Sequence, residues 1–134
     1  MDCIFCKIAA GEIPSHKVYE DGEVLAFLDI TPVNPGHTLV IPKSHYGNLL
    51  DLPEDLLCAL AKAVKKITPA VLAGIGAPGF NLGLNNGAVA GQAVDHVHFH
   101  IMPRFEGDGR QLWHGQAHKE GEAEKIAEKI KENL

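Results

Sequence analysis

At 134 residues the chain is long enough to bury a core as one folded unit without disulfide staples. A hydrophobic fraction of 46%, a charged fraction of 22% and a formal charge of −5, with no Lys/Arg-rich run, argue against a nucleic-acid groove or an anionic membrane surface as partner. No stretch approaches the ~20 consecutive apolar residues of a membrane span.

Along the chain, "CIFCKIAAG" places apolar residues at helical spacing and stops at Gly11, which predicts a short helix. "HKVYEDGEVLAFLDI" is two β-prone runs around Glu20-Asp21-Gly22, a hairpin signal. Asn34-Pro35-Gly36 then turns the chain into a short strand, "HTLVI", closed by Pro42. The longest helical pattern opens at Leu52-Pro53-Glu54-Asp55 and carries Leu56, Leu57, Leu60, Ala63, Val64 and Ile67 as a stripe of period 3.6. Pro69 predicts a bend, Gly74 the end, and Cys58 on this helix is read as a core residue. "GFNLGLNNG" reads as a strand, "AVAGQA" as a tight loop, "VDHVHFHIM" as the last strand, and "EGEAEKIAEKIKENL" as an exposed amphipathic helix with Glu/Lys pairs. The expected fold is α+β: about five strands in a largely antiparallel sheet, one long helix, and short N- and C-terminal helices. Residues 1–134 are expected to form one domain, with its core in 1–105 and a tail and helix in 106–134.

The stretch "AVDHVHFHIMPR" sets His96, His98 and His100 at every second position. On a strand this alternation turns Val97, Phe99 and Ile101 to the core and lines the imidazoles along the other face, with neighbouring Cα atoms roughly 6–7 Å apart. Such a row can be a polar strand face, a metal site in which imidazoles share an ion, or a reaction centre in which one neutral imidazole attacks phosphorus. Two upstream features favour the last. The loop "NNGAVAGQA" ends just before the row, so the Gly91, Gln92 and Ala93 amides are expected to offer N–H donors to phosphate, beside Asn85 at a strand end. "LDITPVNPGHTLVIPKSH" supplies Asp29, a carboxylate suited to two ribose hydroxyls, and a fourth histidine, His37.

With these motifs on view, "LAFLDITPVNPGHTLVIPKSH" followed by "LNNG…GQAVDHVHFHIMPR", the chain resembles the histidine triad family of nucleotide hydrolases and transferases. The resemblance implies that His98 is the nucleophile, that His100 binds phosphate and assists the leaving group, and that His37 joins their hydrogen-bond network. It implies a base pocket walled by Ile4, Phe5, Ile8, Phe27 and Ile30, a ribose on Asp29, and a phosphate side formed by Asn85, Gly91, Gln92 and Ala93. Ala93 departs from the serine common in the phosphoramidase-like branch, which removes a hydroxyl donor and keeps the amide.

Cys3-x-x-Cys6 is half of a zinc site, with His45 and His96 as candidate partners. In the C-x-x-C branch of the family these are the other two ligands, so the resemblance implies a closed structural zinc at Cys3, Cys6, His45 and His96. It also implies a purine nucleotide substrate and a homodimer that pairs the long helix and the strand near residues 80–86 across a two-fold axis. Two other readings stand beside the enzyme: a nucleotide-binding scaffold with incidental turnover, and a metallohydrolase that uses all three row histidines as ligands. An odd cysteine count and an N-terminus without a basic start or a long apolar run point to a reducing, cytoplasmic setting.

Overall fold

The computed structural model describes residues 2–134. In chain order the elements are α1 (Ile4–Ala9), β1 (Lys17–Glu20), β2 (Val24–Leu28), β3 (Thr38–Pro42), α2 (Glu54–Ile75), β4 (Gly79–Leu84), β5 (Phe99–Arg104) and α3 (Glu122–Glu132). The five strands form one antiparallel sheet of order β1-β2-β3-β5-β4. The β1–β2 turn is closed by the Asp21 carboxylate, whose Oδ1 accepts from the Glu23 and Val24 amides. Among the described residues no helix is long and apolar enough to cross a membrane.

Strand alternation gives the sheet two different faces. Val24, Ala26, Val40 and Ile101 pack with Leu60, Ala63, Val64 and Ile67 of α2, so one face is a conventional core. The opposite face carries Leu25, Phe27, Leu39 and Ile41, which are covered by Phe5 and Ile8 of α1. His100 lies across from Leu39 on β3 and from Gly83 on β4, one residue before Ile101, and therefore belongs to the α1 side. The six-residue α1 covers only part of that face, and the polar groups gather beside it.

Four expectations are corrected. The last strand begins at Phe99, so His96 and His98 lie in irregular chain before it. His96, Val97 and His98 are all buried, so the imidazoles at 96 and 98 do not line an open face opposite Val97. Helix α2 runs unbroken through Pro69 to Ile75 and is capped by Gly76 in the left-handed region, not ended by Gly74. Cys58 is exposed, because it sits two residues before Leu60 and so on the far side of the helix from its buried stripe. Gly36 has a structural reason to be glycine: its φ is +89°, and a Cβ there would lie 2.5 Å from Ile75 Cδ1.

Candidate active site and metal cluster

Hydrogen-bond partners assign the proton on each buried imidazole. The Val33 N–H donates to His37 Nδ1 at 3.0 Å, so the neutral His37 ring carries its proton on Nε2. That Nε2–H donates to His100 Nδ1 at 2.9 Å, which moves the His100 proton to its own Nε2. His100 Nε2 is buried and reaches no acceptor among the described residues. A buried donor without a partner costs about 1–3 kcal/mol, so the fold presents an N–H for something other than itself. His98 runs the other way: its Nδ1–H donates to the His96 carbonyl at 2.7 Å, leaving Nε2 as a bare lone pair. The His98 and His100 ring centroids are 4.8 Å apart. An electron-pair donor and a proton donor therefore stand side by side.

Asp29 follows β2 and faces the same side. Its Oδ1 accepts from the Thr31 amide at 2.9 Å and the Thr31 hydroxyl at 3.3 Å, while Oδ2 lies 3.6 Å from His37 Nε2, too far for a hydrogen bond. By proximity, Asp29, His37 and His100 could hold an ion. The protons oppose it. A metal on His37 Nε2 would push the ring proton onto Nδ1, where it would face the Val33 N–H, donor against donor.

The second cluster has the opposite character. His96 Nε2–H donates to the Pro42 carbonyl at 2.8 Å, which leaves Nδ1 deprotonated and aimed at sulfur. From that Nδ1 the distances are 3.4 Å to Cys3 Sγ and 3.5 Å to Cys6 Sγ, and His45 Nδ1 lies 3.3 Å from Cys6 Sγ. Two ligands on a tetrahedral zinc, with bonds near 2.3 Å to sulfur and 2.0–2.1 Å to nitrogen, are separated by about 3.5 Å. Burial and the neighbouring Cys3 push the Cys6 thiol up, a strain that a bound cation would remove. The donor set and its spacing fit a four-coordinate metal, and His96 is turned away from His98 by its own two ring bonds.

The expected pocket residues divide. Phe5, Ile8 and Phe27 are buried together, and Phe5 meets the His98 ring edge-on with centroids 5.0 Å apart. Ile4 is part-exposed at the rim and Ile30, beside Asp29, is exposed, so neither packs as a wall within the chain. The expected phosphate loop is corrected in part: the Gly91 amide donates to Ala88 O and the Gln92 amide to Gly87 O, closing a single 3-10 turn at Ala88–Ala90. The Gln92 side chain braces the loop through the Gly87 amide and the Gly47 and Val94 carbonyls. Asn85 Nδ2 reaches Gly91 O at 3.4 Å, and Ala93 is exposed next to the row.

Sequence reading missed one group. Asp108 accepts from Arg104 Nε at 2.7 Å, Arg104 Nη2 at 3.0 Å and Asn34 Nδ2 at 3.0 Å, and from the Phe105 and Arg110 amides. These donors hold its carboxyl far below the usual range. The signal was present as an acid between two glycines, four residues after Arg104.

Burial lowers the affinity of His37 for a proton, and burial with the neighbouring His98 and His37 pushes His100 down to about 4. Both folded values lie below that of the unfolded chain, near 6.5. The unfolded chain therefore binds more protons in acid, and stability is complete above about pH 6.5 and lost as pH falls toward about 4. For His100 the loss reaches at most about 2 kcal/mol at about pH 5. Denaturant midpoints measured across this range should fall with acid, and His100→Asn should flatten the slope. An unchanged slope in that variant would contradict the neutral assignment.

Fold and site together define a class of protein: an α+β sheet with an imidazole pair of fixed and opposite polarity on one face, beside a Cys/His cluster suited to a metal. Residues 10–107 match the HIT domain family. Among curated proteins the chain is 54% identical over 129 residues to an uncharacterized HIT-like protein of Methanocaldococcus jannaschii, covering 96% of this chain and 98% of that one. It is 43% identical over 138 residues to an adenosine 5'-monophosphoramidase of Candida albicans (98% and 91% covered). Over 107 residues it is 47% identical to an adenylylsulfatase of Arabidopsis thaliana, covering 80% of this chain and 54% of that protein. A crystal structure of a HIT family member from Bacillus subtilis superposes with a TM-score of 0.92 at 44% identity, over 100% and 98% of the two chains. That of a Zn-bound histidine triad family protein from Mycobacterium smegmatis gives 0.79 at 34% identity, over 100% and 99%. The chain belongs to the HIT domain family.

Proposed function

We propose that this chain is a nucleotide hydrolase or nucleotidyl transferase that cleaves at the α-phosphate of a nucleoside phosphoramidate, an adenylated compound or a dinucleoside polyphosphate. The observation that carries this is the fixed tautomer of His98, whose bond to the His96 carbonyl leaves Nε2 as an unprotonated nucleophile. The base lies against Phe5, Ile8 and Phe27, with Ile4 and Ile30 closing the rim, and the free Asp29 Oδ2 takes the ribose hydroxyls. The α-phosphate sits over His98, near Asn85 and the Gly91–Ala93 loop, with the Ala93 amide as the donor that the 3-10 turn does not use. His98 Nε2 forms a bond to phosphorus as the bond to the leaving group breaks. His100 Nε2–H, supported by His37, hydrogen-bonds the phosphoryl oxygens or the departing atom. Water then attacks phosphorus, the P–N bond breaks, and nucleoside monophosphate leaves with the His98 lone pair restored. The net change is the addition of one water, its proton going to the leaving group.

The relatives named as a monophosphoramidase and an adenylylsulfatase support this reaction class, and their differing names leave the leaving group open. The test is kinetic: adenosine phosphoramidates, adenylyl sulfate and dinucleoside polyphosphates are each offered and nucleoside monophosphate is measured. Turnover well above background on one of them is expected. Uniformly negligible turnover with tight mononucleotide binding would give the chain to the scaffold reading instead.

Cys3, Cys6, His45 and His96 hold a structural zinc on this reading, supported by the ligand spacing and by the Zn-bound relative. When bound, the ion supplies a cross-link and leaves no open position for substrate. Two copies pair through the sheet edge. β4 is an edge strand with Phe80 and Leu82 exposed, and a cleft of about 510 Å³ runs between it and Val64, Pro69 and Leu72 of α2. Sedimentation should give twice the chain mass, and Leu82→Glu should give a folded monomer. A wild-type monomer at micromolar concentration would refute the pairing.

A further inference from the structure

We propose that Arg110 and Asp108, which lie beyond β5 and outside the histidine row, are positioning residues that set the direction of the proton chain through His37 and His100. The mechanistic consequence rests on the function proposed above; the structural claim does not.

The chain of bonds starts at one residue, Val33, whose N–H and carbonyl belong to the two peptide groups on either side of its Cα. The Val33 N–H faces His37 Nδ1, and that single donor decides which His37 nitrogen is protonated. The Val33 carbonyl accepts from Arg110 Nη2. The next residue, Asn34, is buried; its carbonyl accepts from the His37 amide at 3.1 Å, and its side-chain N–H donates to Pro103 O at 2.9 Å and to Asp108 Oδ2. His37 thus rests, by ring and by amide, on two consecutive residues that residues 108 and 110 hold from the other side. Asp108 is itself anchored. Its side chain is 7% exposed, and Arg104, which pairs with both of its oxygens, also reaches Asn81 on β4 and the Arg110 carbonyl. A surface turn needs none of this, because a turn closes with backbone bonds alone.

The polarity of the row follows from the placement. If Val33 shifts when its carbonyl loses Arg110, His37 Nδ1 loses its donor and the ring is free to protonate there instead. His37 Nε2 then accepts, His100 must donate from Nδ1, and His100 Nε2 turns from N–H into a lone pair. The reacting position would change from donor to acceptor without any substitution in the row.

The test reads tautomers directly, by long-range ¹H–¹⁵N couplings of the imidazoles in full-length, metal-loaded protein. In the wild type His37 and His100 should both be Nε2–H forms and His98 the Nδ1–H form. Arg110→Ala should shift His37 and His100 toward the other tautomer and leave His98 alone, lowering kcat about tenfold with KM unchanged. Arg110→Lys should recover part of both effects. Arg110 is exposed, so its replacement leaves no cavity, and it decides the matter even if Asp108→Asn fails to fold. Wild-type tautomers in Arg110→Ala would overturn the proposal; shifted tautomers with unchanged kcat would uphold the positioning claim and overturn its mechanistic consequence. The spectra need no substrate, so a chain without nucleotide turnover would sink the proposed function and still leave the positioning claim tested.

Discussion

Replacing His98 by Ala is expected to lower turnover by about three orders of magnitude or more while nucleoside monophosphate still binds. The expectation singles out His98 because each of its neighbours is committed elsewhere. The His96 ring spends its proton on Pro42 O and points its lone pair at Cys3 and Cys6. His100 uses its lone pair to accept from His37 and offers only an N–H. His98 alone keeps a bare nitrogen, and a nucleophile that carries the covalent intermediate has no substitute once removed. His98 is 6% exposed and touches Phe5, so truncation to Ala leaves a small cavity as well. His98→Asn separates the two effects, because its side-chain N–H can still donate to the His96 carbonyl while its amide cannot attack phosphorus. Both variants should be inactive, Asn with the smaller loss of stability. Acid-quenched wild-type enzyme should carry a nucleotidyl adduct by mass spectrometry, absent from both. Turnover in a folded His98→Asn protein would remove the nucleophile from this position.

Much of this was legible because it is local. The continuous apolar runs in "VLAFLDI" and "HTLVI" mark strands covered on both faces, the period-3.6 stripe from Leu60 to Ile67 marks a buried helix face, and the sheet and α2 obey them. Asp29 and His37 share a face with His100 because all three sit in register with the α1 side of the sheet, so pattern reading brought the right groups together. It failed at His96 and His98, where alternation predicts a strand with its imidazoles on one face and the chain is irregular instead. The reason lies elsewhere in the chain: the Pro42 carbonyl and the cysteines of α1 draw His96 inward, and no local period records a partner 54 or 93 residues away. The Gly91 and Gln92 amides close on Ala88 O and Gly87 O, and a glycine-rich loop carries no local signal that it will close on itself. The Arg104–Asp108 pair leaves a local signal, but its join to Asn34 leaves none, since Asn34 and Asp108 meet across 74 residues.

Stripping the metal is expected to cost the chain stability before it costs any chemistry. The cluster joins three segments, the cysteines of α1, the loop carrying His45 and the irregular chain carrying His96, and the contacts among Phe5, Ile8 and Phe27 are what else seats α1 on the sheet. A site filled to about a thousand times its dissociation constant stabilises the folded state by about 4 kcal/mol. For a domain of this size that is a Tm shift of roughly 10–20 °C. Chelation, or Cys6→Ser, should therefore lower Tm by that amount and remove one equivalent of zinc per chain. The rate below the new Tm should stay within a few-fold of wild type, because His98 and His100 lie outside the Cys3, Cys6, His45 and His96 cluster. A metallohydrolase using His96, His98 and His100 makes the opposite forecast: chelation would stop turnover at once, at temperatures where circular dichroism still reports a folded sheet. Both forecasts concern the same sample, and the order in which activity and fold disappear decides between them. Loss of rate ahead of loss of fold would mean that the imidazole at 98 works on an ion after all, and the tautomer argument would fall with it.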